Sequence, residues 1–359
     1  MSVQASVPQT NVAKPMTVTR QSGKRDATQR IAALDFTKGA LVLLMVLYHW
    51  INYFIGPQWP YYFYLRFLTP SFIFISGFVI THVYLSKYDP ADVRLPKRLL
   101  VRGLKLLVIF AALNVGRSVV LPMLSSGSPV ADPLALKNIL AVYVTGNLPN
   151  TTKLVSFSIL VPIAYLLMFS AALMVPMRRH RYTFHVACAF LLALISSLAY
   201  FGITSENLEF VTVGMLGALV GFMPISAINN IGKHPFSLAV AYVLYIIAIT
   251  IWNVPFPLLI VGVFLSVGLI YWIGAHEGAA RRIRNETILL GKYSLFGYIS
   301  QIVILQLLHA GLRRFSLGIP VLAISFLAAF ALTVISVEVV DRARATATSV
   351  DKLYKVVFA

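Results

Sequence analysis

Four polar residues lie along one face of the first apolar segment of the chain. Asp35, Lys38, His49 and Asn52 fall within about a quadrant of one another when the segment is drawn as a helix. Lys38 and His49 are separated by close to three helical turns, about 16 Å along the axis. A histidine can transfer protons near neutral pH, and an ionisable side chain inside an apolar helix predicts a functional site. His49 is therefore a candidate for catalysis, with a purely structural interhelical hydrogen bond as the alternative.

Asp35 and Lys38 each have a structural alternative as well. Asp35 is a suitable N-cap for the helix, or it pairs with Lys38 or a neighbouring arginine and orients it. Lys38 is either an interfacial anchor whose ammonium group reaches out to water or a group that positions the histidine or a substrate.

These residues belong to a chain with the composition of a membrane protein. Of its 359 residues 58% are hydrophobic and 12% are charged, and the mean hydropathy is +0.81, whereas a soluble domain is about 25% charged. A helix that spans a bilayer needs about 20 mostly apolar residues. We predict an all-α polytopic membrane protein with about ten transmembrane helices. The predicted spans are 38–56, 66–86, 100–123, 154–176, 184–203, 208–226, 236–252, 256–275, 293–312 and 319–340.

The distribution of basic residues predicts the orientation of these spans. Of the 30 Lys and Arg residues, 24 fall in the tails and alternate connections on one side. This pattern follows the positive-inside rule and predicts that both termini are cytoplasmic. It also accounts for the net charge of +18 without nucleic acid as a partner. We expect a disordered basic cytoplasmic tail at 1–34, a transmembrane domain at 35–342 and a short cytoplasmic tail at 343–359.

Further polar residues lie at the starts and ends of the predicted spans. Arg98, Arg102 and Lys105 share one face at the start of the third span, where they could hold phosphates, although the positive-inside rule alone would also place them there. Arg117 lies deep in the same span and needs a partner or a water-filled cavity. Arg66 and Ser76 lie in the second span. The structural alternative to a functional role is placement at the membrane interface for Arg66 and helix packing for Ser76.

Several kinds of site are not supported by the sequence. We find no phosphate-binding loop, zinc-binding motif, paired cysteines or hydrolase nucleophile motif. We expect no metal and no bound cofactor, and an inert Cys188. The longest predicted external connection, 124–153, is either a lid or part of an acceptor site, or a plain connector. Its stretch Leu136–Val144 could form a short interfacial or re-entrant helix.

Several motifs together resemble those of the membrane-bound acyltransferase 3 family and its relatives. These relatives include the glucan-modifying succinyltransferases and the heparan-glucosaminide acetyltransferase-like group. The segment from Arg30 to Gly39, followed by His49, is similar to the family's opening Arg-x-x-x-Leu-Asp-x-x-Arg-Gly with its later histidine. The aromatic-rich Thr69–Phe78 resembles the second-helix signature that ends in Ser-Gly, and Arg98 with Arg102 resembles the basic start of the third helix.

A later motif extends this resemblance, and two positions depart from it. Leu290 to Ser294, with Tyr298 four residues further on, resembles the family's Leu-Gly-x-x-Ser signature. Lys38 stands where an arginine is usual, which keeps the charge but removes bidentate recognition. Gln301 stands where the late signature often has a histidine.

The resemblance implies transfer of an acyl group, acetyl or succinyl-like, from acyl-CoA to a hydroxyl or amine of a glycan or other envelope molecule. The usual location is the bacterial inner membrane. It implies that His49 is the general base or acyl-transfer residue, positioned with the donor by Lys38 and Asp35. The expected substrate-binding residues are Arg66, Ser76, Arg98, Arg102, Lys105, Arg117, Ser294 and Tyr298. Two alternatives are a transporter or flippase for an envelope precursor and a non-catalytic membrane scaffold.

Overall fold

A computed structural model describes residues 31–56, 64–85, 92–124, 141–146, 157–231, 235–252, 254–276, 281–312 and 318–358. Most of the predicted N-terminal tail and of the connection 124–153 lie outside these ranges. Of the predicted Leu136–Val144 helix, residues 141–144 are described and are helical.

The described chain is all-α, as predicted, with no strand in the ranges given above. Its helices are α1 Ala32–Trp50, α2 Leu68–Val79, α3 Arg94–Leu124, α4 Leu160–Met177, α5 Thr183–Tyr200, α6 Glu206–Gly221, α7 Ile225–Ile231, α8 Pro235–Trp252, α9 Phe256–Ala275, α10 Arg281–Lys292, α11 Ser294–Leu312, α12 Ile319–Thr346 and α13 Thr348–Phe358. Helices α1 and α2 continue directly into π-helical turns, Ile51–Ile55 and Ile80–Tyr84.

Eight of the described helices are long and apolar enough to cross a membrane. They are α1, α3, α4, α5, α8, α9, α11 and α12, and they make this a multi-pass membrane protein. The two remaining predicted spans coincide with α2 and α6, which are shorter. Each of the ten predicted segments therefore contains a described helix, whereas the exact number of membrane crossings stays a prediction.

Two amphipathic helices were not predicted from the sequence. Helix α10 occupies a connection expected only to carry basic residues, and α13 occupies the expected C-terminal tail. A search for apolar runs misses such helices because their apolar residues occupy one face only. At the other end of the chain, α1 begins at Ala32, inside the predicted tail, because Ala33 and Leu34 are already buried.

Helix α1 is the centre of the bundle and packs against α2, α9, α10, α11 and α12. We call the side where α1 begins the basic side. Lys38 lies there. Arg284 of α10 donates to the carbonyl oxygen of Gly274, which lies against Phe36 of α1. Lys105 of α3 reaches the same side through α13, whose Tyr354 packs on Tyr293. The opposite side, where α1 ends, is called the far side.

Glycines permit a very close crossing between α1 and α10. A Cβ atom on Gly39 would overlap the carbonyl oxygen of Thr287, and one on Gly291 would overlap the carbonyl oxygen of Asp35. The two backbones are therefore in direct contact. This crossing fixes the start of α1, and hence the height of Asp35 and Lys38 on the basic side.

Candidate functional site

His49 lies near the end of α1 and faces α11. Its ring is 5.1 Å from the ring of Tyr48 and 6.4 Å from that of Tyr298, measured between centroids. The Nε2 atom is shielded from solvent and has no hydrogen-bond partner among the described residues. A shielded ring nitrogen without a protein partner is available to a substrate or to a water molecule.

The π-helical turn that follows changes the direction of the next polar side chains. Such turns are rare and are often found at functional sites. Asn52 lies in this turn and has a buried Oδ1 atom without a described partner. Tyr53 accepts a hydrogen bond from Nε2 of Gln306 at 3.1 Å, and its ring lies 5.8 Å from that of His309. The polar face predicted for α1 thus continues toward residues of α11.

Tyr53 lies near both Arg117 of α3 and Tyr298 of α11. Tyr298 is buried and also contacts the ring of Phe157 at a centroid distance of 6.3 Å. Phe157 has a φ of 65°, a left-handed conformation that is uncommon outside glycine and recurs at functional sites. Helices α1, α3, α11 and the start of α4 therefore meet around one polar region.

Asp35 and Lys38 form an ion pair on the basic side, with 2.6 Å between Oδ1 and Nζ. The N-cap alternative for Asp35 is wrong, because the helix begins earlier and Ile31 occupies the N-cap position. Three turns of helix separate this pair from His49, so the two do not form one contact group.

The predicted basic face at the start of α3 lies close to the C-terminal helix. Nζ of Lys105 donates a hydrogen bond to the carbonyl oxygen of Val356 at 3.0 Å. The Arg102 guanidinium lies over the ring of Tyr84 at 5.5 Å, and Arg98 is exposed. This face therefore carries both exposed and partly buried cationic groups beside α13.

The other predicted binding residues lie apart from His49 in the contacts of the described chain. Nη1 of Arg66 donates to the carbonyl oxygen of Val254 at 3.4 Å. Ser76 donates to the carbonyl oxygen of Phe72 in its own helix at 2.8 Å. Ser294 is the half-buried first residue of α11.

The profile of a family described as an acyltransferase domain, acyltransferase 3, matches residues 31–338. The chain belongs to this family. No curated protein and no solved structure gave a significant match. The match runs from the residue before α1 to the last third of α12, so it includes every helix that surrounds His49.

In this membrane acyltransferase domain, the family-like motifs coincide with helix crossings. Gly291 of the late signature meets α1, and Gly77 of the second-helix signature meets α6, where a Cβ atom would overlap the carbonyl oxygen of Gly214. Close helix packing thus explains the glycines of both signatures. The packing of α11 against α1 brings the rings of His49 and Tyr298 together.

Sequence reasoning missed Tyr53, Gln306 and Phe157. Tyr53 could have been found, because it follows His49 by four residues on the same helical face. Gln306 and Phe157 have no such signal, because their relation to α1 depends on how α11 and α4 pack. No group of three or more potential metal-binding side chains is present among the described residues.

Proposed function

We propose that this acyltransferase domain transfers an acyl group, acetyl or succinyl-like, from acyl-CoA to a hydroxyl or amine of a glycan or other envelope acceptor. The proposal rests on one observation above all: the solvent-shielded, unpartnered Nε2 atom of His49 inside an apolar helix. A carbohydrate hydroxyl is a weak nucleophile that needs a nearby base, and this imidazole nitrogen is available for that role.

The donor approaches from the basic side, which by the positive-inside rule faces the cytoplasm of a bacterial inner membrane. The exposed Arg98 guanidinium and its neighbours Arg102 and Lys105 attract the phosphates of CoA. Lys38, held by Asp35, directs the donor along α1 toward the histidine. The acceptor approaches from the far side, along Arg117 and Tyr53.

The reaction itself is a displacement at the thioester carbonyl. The acceptor oxygen bonds to the acyl carbon while Nε2 of His49 takes its proton. The carbon–sulfur bond then breaks, and the departing CoA sulfur recovers that proton from the imidazolium. No external oxidant, reductant or metal enters this balance.

Replacing His49 with Gln tests the proposal. We expect transfer from radiolabelled acyl-CoA, in membranes that contain equal amounts of protein, to fall by at least about 100-fold, because general-base catalysis is worth roughly 10²–10⁴ in rate. His185, an exposed histidine on α5 whose ring stacks on Phe222, is the matched control. His185→Gln should retain the wild-type rate.

Mass spectrometry of envelope glycans, with and without the gene, identifies the acyl group and the acceptor. Wild-type turnover in inserted His49→Gln protein would exclude the catalytic assignment. Accumulation of an envelope precursor in sealed vesicles without a covalent product would instead identify a transporter.

A further inference from the structure

Gln301 has an unusual environment within α11. Its side chain has no exposed surface, and neither Oε1 nor Nε2 has a hydrogen-bond partner among the described residues. A buried primary amide normally satisfies most of its donor and acceptor capacity. An apolar side chain of the same length would fit this position at a lower desolvation penalty.

The contacts of neighbouring residues place Gln301 on the face of α11 that packs against α1. Gly297 lies against Val42, and Tyr298 contacts the ring of His49. Leu305, one turn after Gln301, belongs to the same hydrophobic cluster as Val46 and Trp50. Residues 298, 301 and 305 follow one another at helical spacing, so Gln301 lies between two residues that pack on the His49 segment.

The unpartnered atoms in this region have complementary hydrogen-bonding properties. Nε2 of His49 accepts a proton when the neutral ring carries its hydrogen on Nδ1, while Nε2 of Gln301 can only donate. Acyl transfer requires one group of each kind, a base for the acceptor and a donor for the carbonyl oxygen that becomes negatively charged.

We infer that Gln301 is a second catalytic residue, whose Nε2–H donates a hydrogen bond to the carbonyl oxygen of the acyl thioester. This inference rests on the proposed acyl transfer. As the acceptor oxygen adds to the acyl carbon and His49 takes the acceptor's proton, negative charge develops on the carbonyl oxygen. Gln301 stabilises this charge until the carbon–sulfur bond breaks and the carbonyl re-forms.

Two substitutions at Gln301 separate hydrogen-bond donation from packing. Gln301→Met keeps a long unbranched side chain and removes the donor. We expect it to lower kcat by roughly 10²–10³-fold, the usual effect of losing one donor to the oxyanion, with KM for acyl-CoA little changed. Gln301→His supplies a ring N–H in place of the amide donor. It should retain at least about a tenth of the wild-type kcat, because a hydrogen-bond donor is still present to stabilise the negative charge on the carbonyl oxygen.

Thr333→Val is the matched control. Thr333 is a fully buried polar residue of α12 whose Oγ1 donates to the carbonyl oxygen of Ala329 in its own helix at 2.7 Å. Its replacement removes a buried hydroxyl at a position with no part in the site, so kcat and KM should stay at wild-type values.

Thermal unfolding of each purified variant accompanies the kinetics, and rates are compared well below every midpoint. A Gln301→Met protein with wild-type kcat would exclude the inference and leave an internal water molecule as the partner of the amide. Equal losses in the Met and His variants would also exclude it, because they would indicate a packing role. If neither wild-type nor Thr333→Val protein transfers an acyl group, the proposed function itself fails.

Discussion

At the scale of single residues, Lys38 depends on Asp35. The carboxylate is almost completely buried, and the ammonium group 2.6 Å away keeps part of its surface exposed. The lysine ammonium group is a compact charge whose N–H donors can rotate, whereas the guanidinium of an arginine is planar and would bind a carboxylate with two parallel hydrogen bonds. Asp35 therefore both neutralises and orients the ammonium group of Lys38.

Replacing Lys38 with Met should lower the free energy of unfolding by roughly 1–3 kcal/mol, because the buried carboxylate of Asp35 loses its partner. The double variant Asp35→Asn/Lys38→Met should recover part of this loss, since no unpaired charge remains. Denaturant titration in mixed micelles measures both values. The single variant Asp35→Asn completes the cycle. If the losses of the two single variants simply add in the double variant, the pair has no coupling and does not orient the lysine.

At the scale of helices, the crossing of α1 and α10 determines where the site can form. Gly291 of α10 lies against the backbone carbonyl of Asp35. Helix α10 therefore fixes the position of Asp35, which in turn pairs with Lys38. Any side chain in place of Gly291 separates the two backbones and moves the start of α1 relative to α11.

Replacing Gly291 with Ala should therefore destabilise the protein by about 1–3 kcal/mol or more, as overpacking does in a close-packed interior. Gly311 on α11 has open space around it, and Gly311→Ala should raise stability by about 0.5–1 kcal/mol through helix propensity. Unfolding midpoints of the two variants measure the contrast. Similar effects in both would contradict the close contact of α1 and α10.

The helices could be predicted from the sequence because the length of an apolar segment and the spacing of residues along a helix depend only on residues that are near one another in the chain. The same holds for the face shared by Lys38 and His49. Which side chain lies against the ring of His49 depends on packing between segments that are distant in the sequence. No physical rule predicted that this neighbour is Tyr298; only the resemblance to the family indicated it. Gln301 was noticed only as a departure from a motif, since its lack of a partner can be recognised only once α1 and α11 lie side by side.

At the scale of the whole molecule, contacts of α13 with α3 and α12 attach the C-terminal segment to the basic side. Arg344 at the end of α12 donates to Oδ1 of Asp351 from Nε and Nη2 at 3.0 and 2.7 Å, and its guanidinium lies 4.1 Å from the centroid of the Tyr354 ring. Lys105 reaches the same helix from α3. Helix α13 lies beyond residue 338, where the family match ends.

This attachment should depend on pH. Hydrogen bonds from Lys355 and then from Arg344 hold the pKa of Asp351 below its ordinary value of 3.8. A carboxylate with a depressed pKa stabilises the docked state above its unfolded pKa, and this contribution disappears as the pH falls through the folded pKa. We expect α13 to be docked at neutral pH and to be released more often in acidic solution, because the contribution of the Arg344–Asp351 pair disappears as Asp351 is protonated.

Hydrogen exchange of residues 348–358, measured against the unstructured peptide at each pH, follows this release. Asp351→Asn should lower the protection already at neutral pH. The control is Glu338→Gln, which removes a surface pair with the well-exposed Arg342 and should leave exchange unchanged, as exposed pairs contribute little. Equal protection in wild-type and Asp351→Asn protein would show that Asp351 does not hold the helix.

The central position of α1 also determines the order in which the protein can be assembled. Helix α1 is synthesised first, but four of the five helices that pack on it, α9 to α12, are synthesised only after α3 to α8. Until they arrive, α2 is the only one of these five helices that can cover α1, and polar groups exposed to the bilayer are costly. A chain that terminates before α9 therefore lacks α10, which packs against Asp35, and α11, which packs against His49.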